Sequence, residues 1–183
     1  MAMQLGQQIA GLRNELRYEP TAKRVRANLG GSAVLDTTRA ILVWEPDWVV
    51  PQYAVPTEEL RLELAPDDGA GEPDPDAPLY DPETGRRRHT ADGQLMLLRR
   101  IEGGDLLGAG FRLADPVLRD YVVLEWNAFD GWTEDGEDVI GHPHDPFARI
   151  DIRRVAQQVR VELDGHVLAE STRARALYET HLP

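Results

Sequence analysis

The chain has 183 residues, a formal net charge of −12, 42% apolar residues and no cysteine. The apolar content suffices for a core, and the missing thiols exclude disulfide frameworks, thiol nucleophiles and thiolate metal sites. A surface this negative repels phosphate backbones, no run reaches the roughly 18–20 consecutive apolar residues of a membrane span, and the first residues lack the apolar block of a secretory signal. Neither nucleic acid nor membrane is therefore an expected partner, and the cytoplasm is the expected compartment.

Leu5, Ile9, Leu12 and Leu16 recur at helical spacing, which predicts a short amphipathic helix over residues 3–17 in an N-terminal segment 1–19, stopped at Pro20. Gly6 and Gly11 each weaken it by about 1 kcal/mol relative to Ala. From Val25 the period becomes two. Val25 to Leu29 alternates, Gly30-Gly31 supplies a tight turn, and Ala33-Val34-Leu35 returns, which predicts a hairpin. The nearly continuous apolar run from Arg39 to Trp44 suits a strand buried on both faces, and Trp48-Val49-Val50 between Pro46 and Pro51 reads as a further extended piece.

Residues 65–92 are rich in Pro, Gly and Asp and predict a solvated acidic loop, whose acidic residues the run Arg86-Arg87-Arg88 is expected to neutralise. Strands resume at Leu95–Leu98, a Gly103-Gly104 turn follows, and further strands are expected near Leu106–Leu113 and Tyr121–Trp126. The expected organisation is thus a first β domain over 20–126, a connecting segment over 127–153 and a partial second copy over 154–183. The fold class is mainly β: a small antiparallel sheet or barrel-like domain built on hairpins.

The second copy emerges from self-comparison. VRANLGGSAVLDTTRAILVWE, beginning at Val25, aligns without gaps on VRVELDGHVLAESTRARALYE, beginning at Val159, with identities that include Arg39/Arg173 and Glu45/Glu179. Asp164-Gly165 is a strong hairpin turn signal. A plain two-residue turn sets Val161 opposite Leu168 and Ala27 opposite Val34, and both hairpins are expected to pack through the same apolar face. A hairpin plus one strand buries too little surface to fold alone. Residues 154–183 are therefore expected to complete the first sheet, to pair with another chain, or to belong to a longer polypeptide.

Three segments, LVWEPDWVVPQYAVPTEELRLEL, YVVLEWNAFDGWTEDGEDVIGHPHDPFARIDI and VRVELDGHVLAESTRARALYETHLP, resemble the domain of unknown function 427 family, also labelled nucleotidyltransferase-like, in its actinobacterial two-copy form. The resemblance implies a small, mainly β fold and no established activity. The chain departs from the family in lacking its Cys-Pro-Tyr-Lys-Gly element after Leu64, and in a second copy that is shorter than the family's.

Arg39, Glu45, Arg173 and Glu179 are the polar residues common to both copies, and six residues of strand, about 20 Å, separate the Arg from the Glu in each. Each needs another partner. They either satisfy turn groups and cross-strand ion pairs, or Glu45 joins Trp44, Trp48 and Tyr53 in a cleft for a small cationic or sugar-like ligand. His142-Pro143-His144-Asp145 has the ligand types of a metal site, but Pro143 and Pro146 make it a rigid turn in which Asp145 caps backbone N–H groups and Arg149 pairs with Asp145 or Asp151.

No phosphate loop, Gly-x-Ser-x-Gly elbow or His-Glu-x-x-His motif occurs. The leading expectation is a non-catalytic β module that binds a small ligand or a protein through Trp44, Glu45, Trp48, Tyr53, Arg39, Arg173, Glu179 and His142, with no catalytic residue, metal or cofactor. The alternatives are an enzyme with a nucleotidyltransferase-like or hydrolytic site between the copies, using Glu45, Tyr53 and His142 or His144, and a structural piece that forms homo-oligomers through the partial second copy.

Overall fold

The computed structural model describes residues 2–69, 76–100 and 104–180, and Gly103 of the expected turn lies outside them. Two compact units divide the chain, residues 1–144 and 145–183. Unit 1 opens with helix α1 (Leu5–Gly11) and a 3-10 turn (Leu12–Asn14), and then departs from the helix expected to run to residue 17. Arg17–Pro20 is instead strand β1, antiparallel to the strand Ile41–Trp44. Pairing with an all-apolar strand stabilises this segment more than one further helical turn after Gly11 would.

The hairpin β2 (Val25–Leu29) and β3 (Ser32–Thr37) turns through Gly30 and Gly31, both with positive φ, the backbone that a two-residue hairpin turn needs. Its register differs from a plain two-residue hairpin. Ala27 faces Leu35, not Val34, because a β-bulge shifts the pairing between Ala27 and Asn28. The extra residue turns both Val34 and Leu35 inward, and both are buried.

The strands β4 (Ile41–Trp44), β5 (Gln52–Pro56), β6 (Glu63–Pro66), the two-residue pair β7 (Tyr80–Asp81) and β8 (Arg86–Arg87), then β9 (Gly93–Arg99), β10 (Leu106–Leu113), β11 (Tyr121–Leu124), β12 (Gly131–Glu134) and β13 (Glu137–Val139) complete the unit. They form a seven-stranded sheet of order β1-β4-β5-β11-β10-β9-β6 and a four-stranded sheet of order β13-β12-β2-β3. The segment expected to connect two domains from residue 127 on is therefore divided. Its first part supplies β12, which pairs with β2 through Trp132 opposite Ala27, and Trp132 is 3% exposed in the core. One large aromatic side chain on an alternating strand explains why this part belongs to unit 1.

Alternation on β4, β5 and β11 produces two cores. Leu42, Trp44, Tyr53, Val55, Val122 and Leu124 meet Val25, Ala27, Leu35 and Trp132 of the smaller sheet, whereas Ile41, Val43, Ala54 and Val123 pack with Phe111, Leu113 and Leu118 on the opposite face. Burial on both faces is what the apolar run before Trp44 predicts.

Unit 2 comprises β14 (Ile150–Arg154), the hairpin β15 (Val159–Leu163) and β16 (His166–Ser171), and β17 (Arg175–Glu179). Asp164 and Gly165 both have positive φ, and Val161 faces Ala169, not Leu168, through a bulge placed as in the first hairpin. Arg39 N–H donates to Thr37 Oγ1 at 2.9 Å, and Arg173 N–H donates to Ser171 Oγ at 3.0 Å. The correspondence extends to strands without sequence identity: Arg17 faces Trp44 in unit 1 and Asp151 faces Tyr178 in unit 2. Burial does not correspond. The apolar face expected to turn inward does so in unit 1, whereas Val161 is 49% and Leu163 60% exposed in unit 2.

This contrast predicts a stability difference between related sites. Leu35→Ala should destabilise unit 1 by about 2–5 kcal/mol, and Leu163→Ala, at an exposed position of unit 2, should change stability by no more than about 0.5 kcal/mol. Urea unfolding of each variant monitored by far-UV circular dichroism would check it.

Candidate functional site

The site is assembled where β4 ends. Glu45 follows Trp44 and is 3% exposed, and the chain then turns sharply at Asp47, whose φ is positive and whose N–H donates to the Arg13 carbonyl at 2.8 Å. Buried carboxylates must be satisfied. Glu45 Oε1 meets His89 Nδ1 at 2.7 Å, and its Oε2 accepts the N–H groups of Thr90 at 2.7 Å and Ala91 at 3.0 Å. Burial alone would raise the carboxyl, but these three partners outweigh it and hold Glu45 below the ordinary glutamate value.

This anchor draws the residues after the acidic stretch into the protein. The His89 ring stacks on Phe111 with centroids 3.8 Å apart. Phe111 can lie there because Gly93 has no side chain: a Cβ at that position would sit 2.4 Å from the Phe111 ring and 2.5 Å from the Arg112 carbonyl oxygen. Arg87 extends over the Trp48 ring, 3.7 Å from its centroid, and donates to the carbonyls of Val50 at 2.8 Å and Pro51 at 3.3 Å. Trp48 Nε1–H donates to the Arg88 carbonyl at 3.0 Å. Arg87 thus has a different role from the one expected of the arginine run. Arg87 is built into the wall of the site, and Arg86 donates to the Leu107 carbonyl at 3.0 Å. Desolvation, only partly offset by Glu125 and Glu45, lowers the Arg87 guanidinium to about 10.

Beside Arg87 lies a cavity of about 380 Å³ walled by Trp48, Tyr53, Tyr80 and Trp126, with Gln52, Glu125 and His142 also contributing. Tyr53 and Trp126 stack with centroids 6.2 Å apart, and Trp126 stacks on Trp132 at 5.2 Å, so the wall continues into the core. The Tyr53 hydroxyl donates to Glu134, which also binds Lys23 and meets His144 Nδ1 at 2.9 Å. Burial first, and Glu134 second, push the Tyr53 phenol above its ordinary range, so it remains a neutral donor. Two polar atoms in residues of the cavity wall, Gln52 Nε2 and Glu125 Oε1, are buried without a hydrogen-bond partner. Burial raises the Glu125 carboxyl above its ordinary value, against the opposing effect of backbone N–H groups, His89 and Arg87.

Of the residues singled out in the sequence, Trp48, Tyr53 and His142 share this cavity. Trp44 is in the core, and Glu45 lies behind the wall as its anchor. Arg39 is exposed and pairs with Glu58 and Glu59 at 2.8 Å each. Arg173 and Glu179 belong to unit 2, at an exposed turn and on β17. The two imidazoles of the His-Pro-His run have separate partners, since His142 Nδ1 meets the Pro143 carbonyl at 2.8 Å. Asp145 accepts the Phe147 N–H at 2.7 Å, and Arg149 pairs with Asp151 at 3.1 Å. Gln52, Arg87, His89, Glu125 and Trp126 were missed by sequence reasoning.

Among the described residues, no group of three or more His, Cys, Asp or Glu side chains converges as metal ligands, and no helix is long and apolar enough to cross a membrane. No family model, no curated protein and no solved structure matches the chain.

The Glu45 and Glu125 shifts have opposite signs, with opposite consequences for stability. Glu45, lowered on folding, contributes stability above its unfolded value of 4.5 that is lost as pH falls through the lower folded value. Glu125, raised on folding, destabilises the fold as pH climbs from 4.5 through its higher folded value. Glu125→Gln should therefore raise the melting temperature at pH 7 relative to pH 4, and Glu45→Gln should lower it at pH 7 and flatten the acid limb below pH 4.5. Thermal unfolding across pH 3–8 would measure both effects.

Proposed function

We propose that unit 1 is a non-catalytic ligand-binding module and that its cavity beside Trp48 takes a small, neutral, sugar-like molecule. The observation that carries this reading is that Gln52 Nε2 and Glu125 Oε1, buried and unpartnered, belong to the wall of one aromatic cavity. A buried polar group without a partner costs about 1–3 kcal/mol, and a native fold retains such groups where something else is to meet them. Gln52 offers a donor and Glu125 an acceptor. A hydroxyl group answers either one, and the flat faces of Trp48, Tyr53, Tyr80 and Trp126 suit the apolar face of a sugar ring. The Arg87 guanidinium, already on the Trp48 ring, argues against the cationic ligand that the sequence also allowed. The resemblance to the domain of unknown function 427 family belongs to the same proposal and adds a fold expectation without an activity.

Thermal-shift and fluorescence titrations against a panel of neutral mono- and disaccharides and quaternary amines provide the test. A saccharide should raise the melting temperature and change tryptophan emission. Gln52→Leu should weaken that binding about tenfold while stabilising the ligand-free protein by up to about 3 kcal/mol, because it removes an unsatisfied buried group. Binding of amines with no response to saccharides would refute the reading.

A second reading concerns residues 145–180, which we read as an internal duplication of the β1–β4 arrangement that acts in self-association. In unit 1 the edge of β4 pairs with β5 and that of β2 pairs with β12, whereas among the described residues of unit 2 the corresponding edges of β17 and β15 have no further strand. Leu168, Leu177 and Tyr178 are exposed there by 60% or more. Unpaired strand edges beside apolar side chains favour strand addition by a second copy. Sedimentation velocity should show a concentration-dependent dimer that Leu177→Asp abolishes; monomer for the wild type throughout the micromolar range would count against it.

A further inference from the structure

A second, larger cavity of about 620 Å³ shares Arg87 and Glu125 with the first but not its tryptophan and tyrosine wall. It combines apolar surface from Leu95, Leu97 and Phe111 with Arg88 and His89. The His89 ring is held on two sides, by Glu45 at Nδ1 and by Phe111 on its face. Nε2, across the ring from Nδ1, has no hydrogen-bond partner among the described residues. Beside it in sequence, Arg88 forms no ion pair among the described residues, and its Nε is buried without a partner. Two adjacent residues thus bring an imidazole and a guanidinium with no ion pair among the described residues to one cavity in a chain whose net charge is −12. Of the carboxylates nearby, Glu125 also lines the cavity and interacts with His89 and Arg87, and burial raises its carboxyl above the ordinary value, towards the neutral form. Asp67 accepts the Gly108 N–H at 2.8 Å, Asp68 is exposed, and Glu45 is engaged by His89 and two backbone groups.

We propose that this cavity is an oxyanion site for a small phosphorylated or carboxylated ligand, in which Arg88 supplies a forked pair of donors beside the His89 ring. A guanidinium fork fits two oxygens of either anion. The site goes beyond the saccharide reading and is independent of Gln52, which does not line it.

The full chain is titrated with inorganic phosphate in one arm and sodium acetate in the other, at constant ionic strength, with the His89 ring resonances followed by heteronuclear NMR. A saturable shift of His89 is expected with at least one anion, and the arm that saturates at lower concentration identifies the anion class. Arg88→Gln should weaken the binding at least about tenfold, the loss expected for a charge-assisted hydrogen-bonding partner. Arg88→Lys, which keeps charge without the fork, should recover part of it and decides the matter if Arg88→Gln fails to fold. No saturable His89 shift with either anion up to tens of millimolar, or undiminished binding by both Arg88 variants, would overturn the proposal. Failure here leaves saccharide binding unaffected, and success with phosphate alone does not establish it.

Discussion

One buried carboxylate organises the candidate site of this protein. Glu45 lies at the end of a strand whose four residues are all buried, where an unmet charge would be severely destabilising. Its three donors all come from residues 89–91, more than forty positions along the chain. The requirement to satisfy one charge therefore fixes the return path of the chain after the acidic stretch. Arg87 comes to rest on Trp48 and His89 on Phe111 as consequences, and both cavities take their polar residues from that path.

Arg87 and Glu125 line both cavities and form an electrostatically uneven partition. The guanidinium is stabilised by an aromatic face and two carbonyls, while the Glu125 carboxylate keeps one oxygen unmet and is raised by burial. Such an arrangement sacrifices some stability in a place where a ligand could restore it, a recurring property of binding sites. The aromatic layer behind it, from Tyr53 through Trp126 and Trp132 to Phe129, also packs in or against the core between the two sheets.

The two hairpins separate local from tertiary effects within one chain. β2–β3 and β15–β16 have the same turn length, the same positive-φ pair and the same bulge, although one is buried in unit 1 and the other exposed in unit 2. Turn chemistry and the alternation of the flanking residues suffice for this shape. Burial is set elsewhere, by β5 and β12, which flank the first arrangement.

The mainly β character, the hairpins and the doubly buried strand before Trp44 were legible in the sequence because turn residues and hydrophobic period act over a few positions. Trp48, Tyr53 and His142 were also visible as candidate residues, since aromatic and imidazole side chains are uncommon enough to stand out. The capture of Arg17–Pro20 as a strand and the burial of Arg87 and His89 were decided by tertiary structure alone. Each depends on a partner distant in sequence: β4 for the first strand, Trp48 for the guanidinium, Glu45 for the imidazole. A run of three arginines after acidic residues reads as a solvated surface until a buried carboxylate and an indole face, placed by other strands, make its interior position the more stable one.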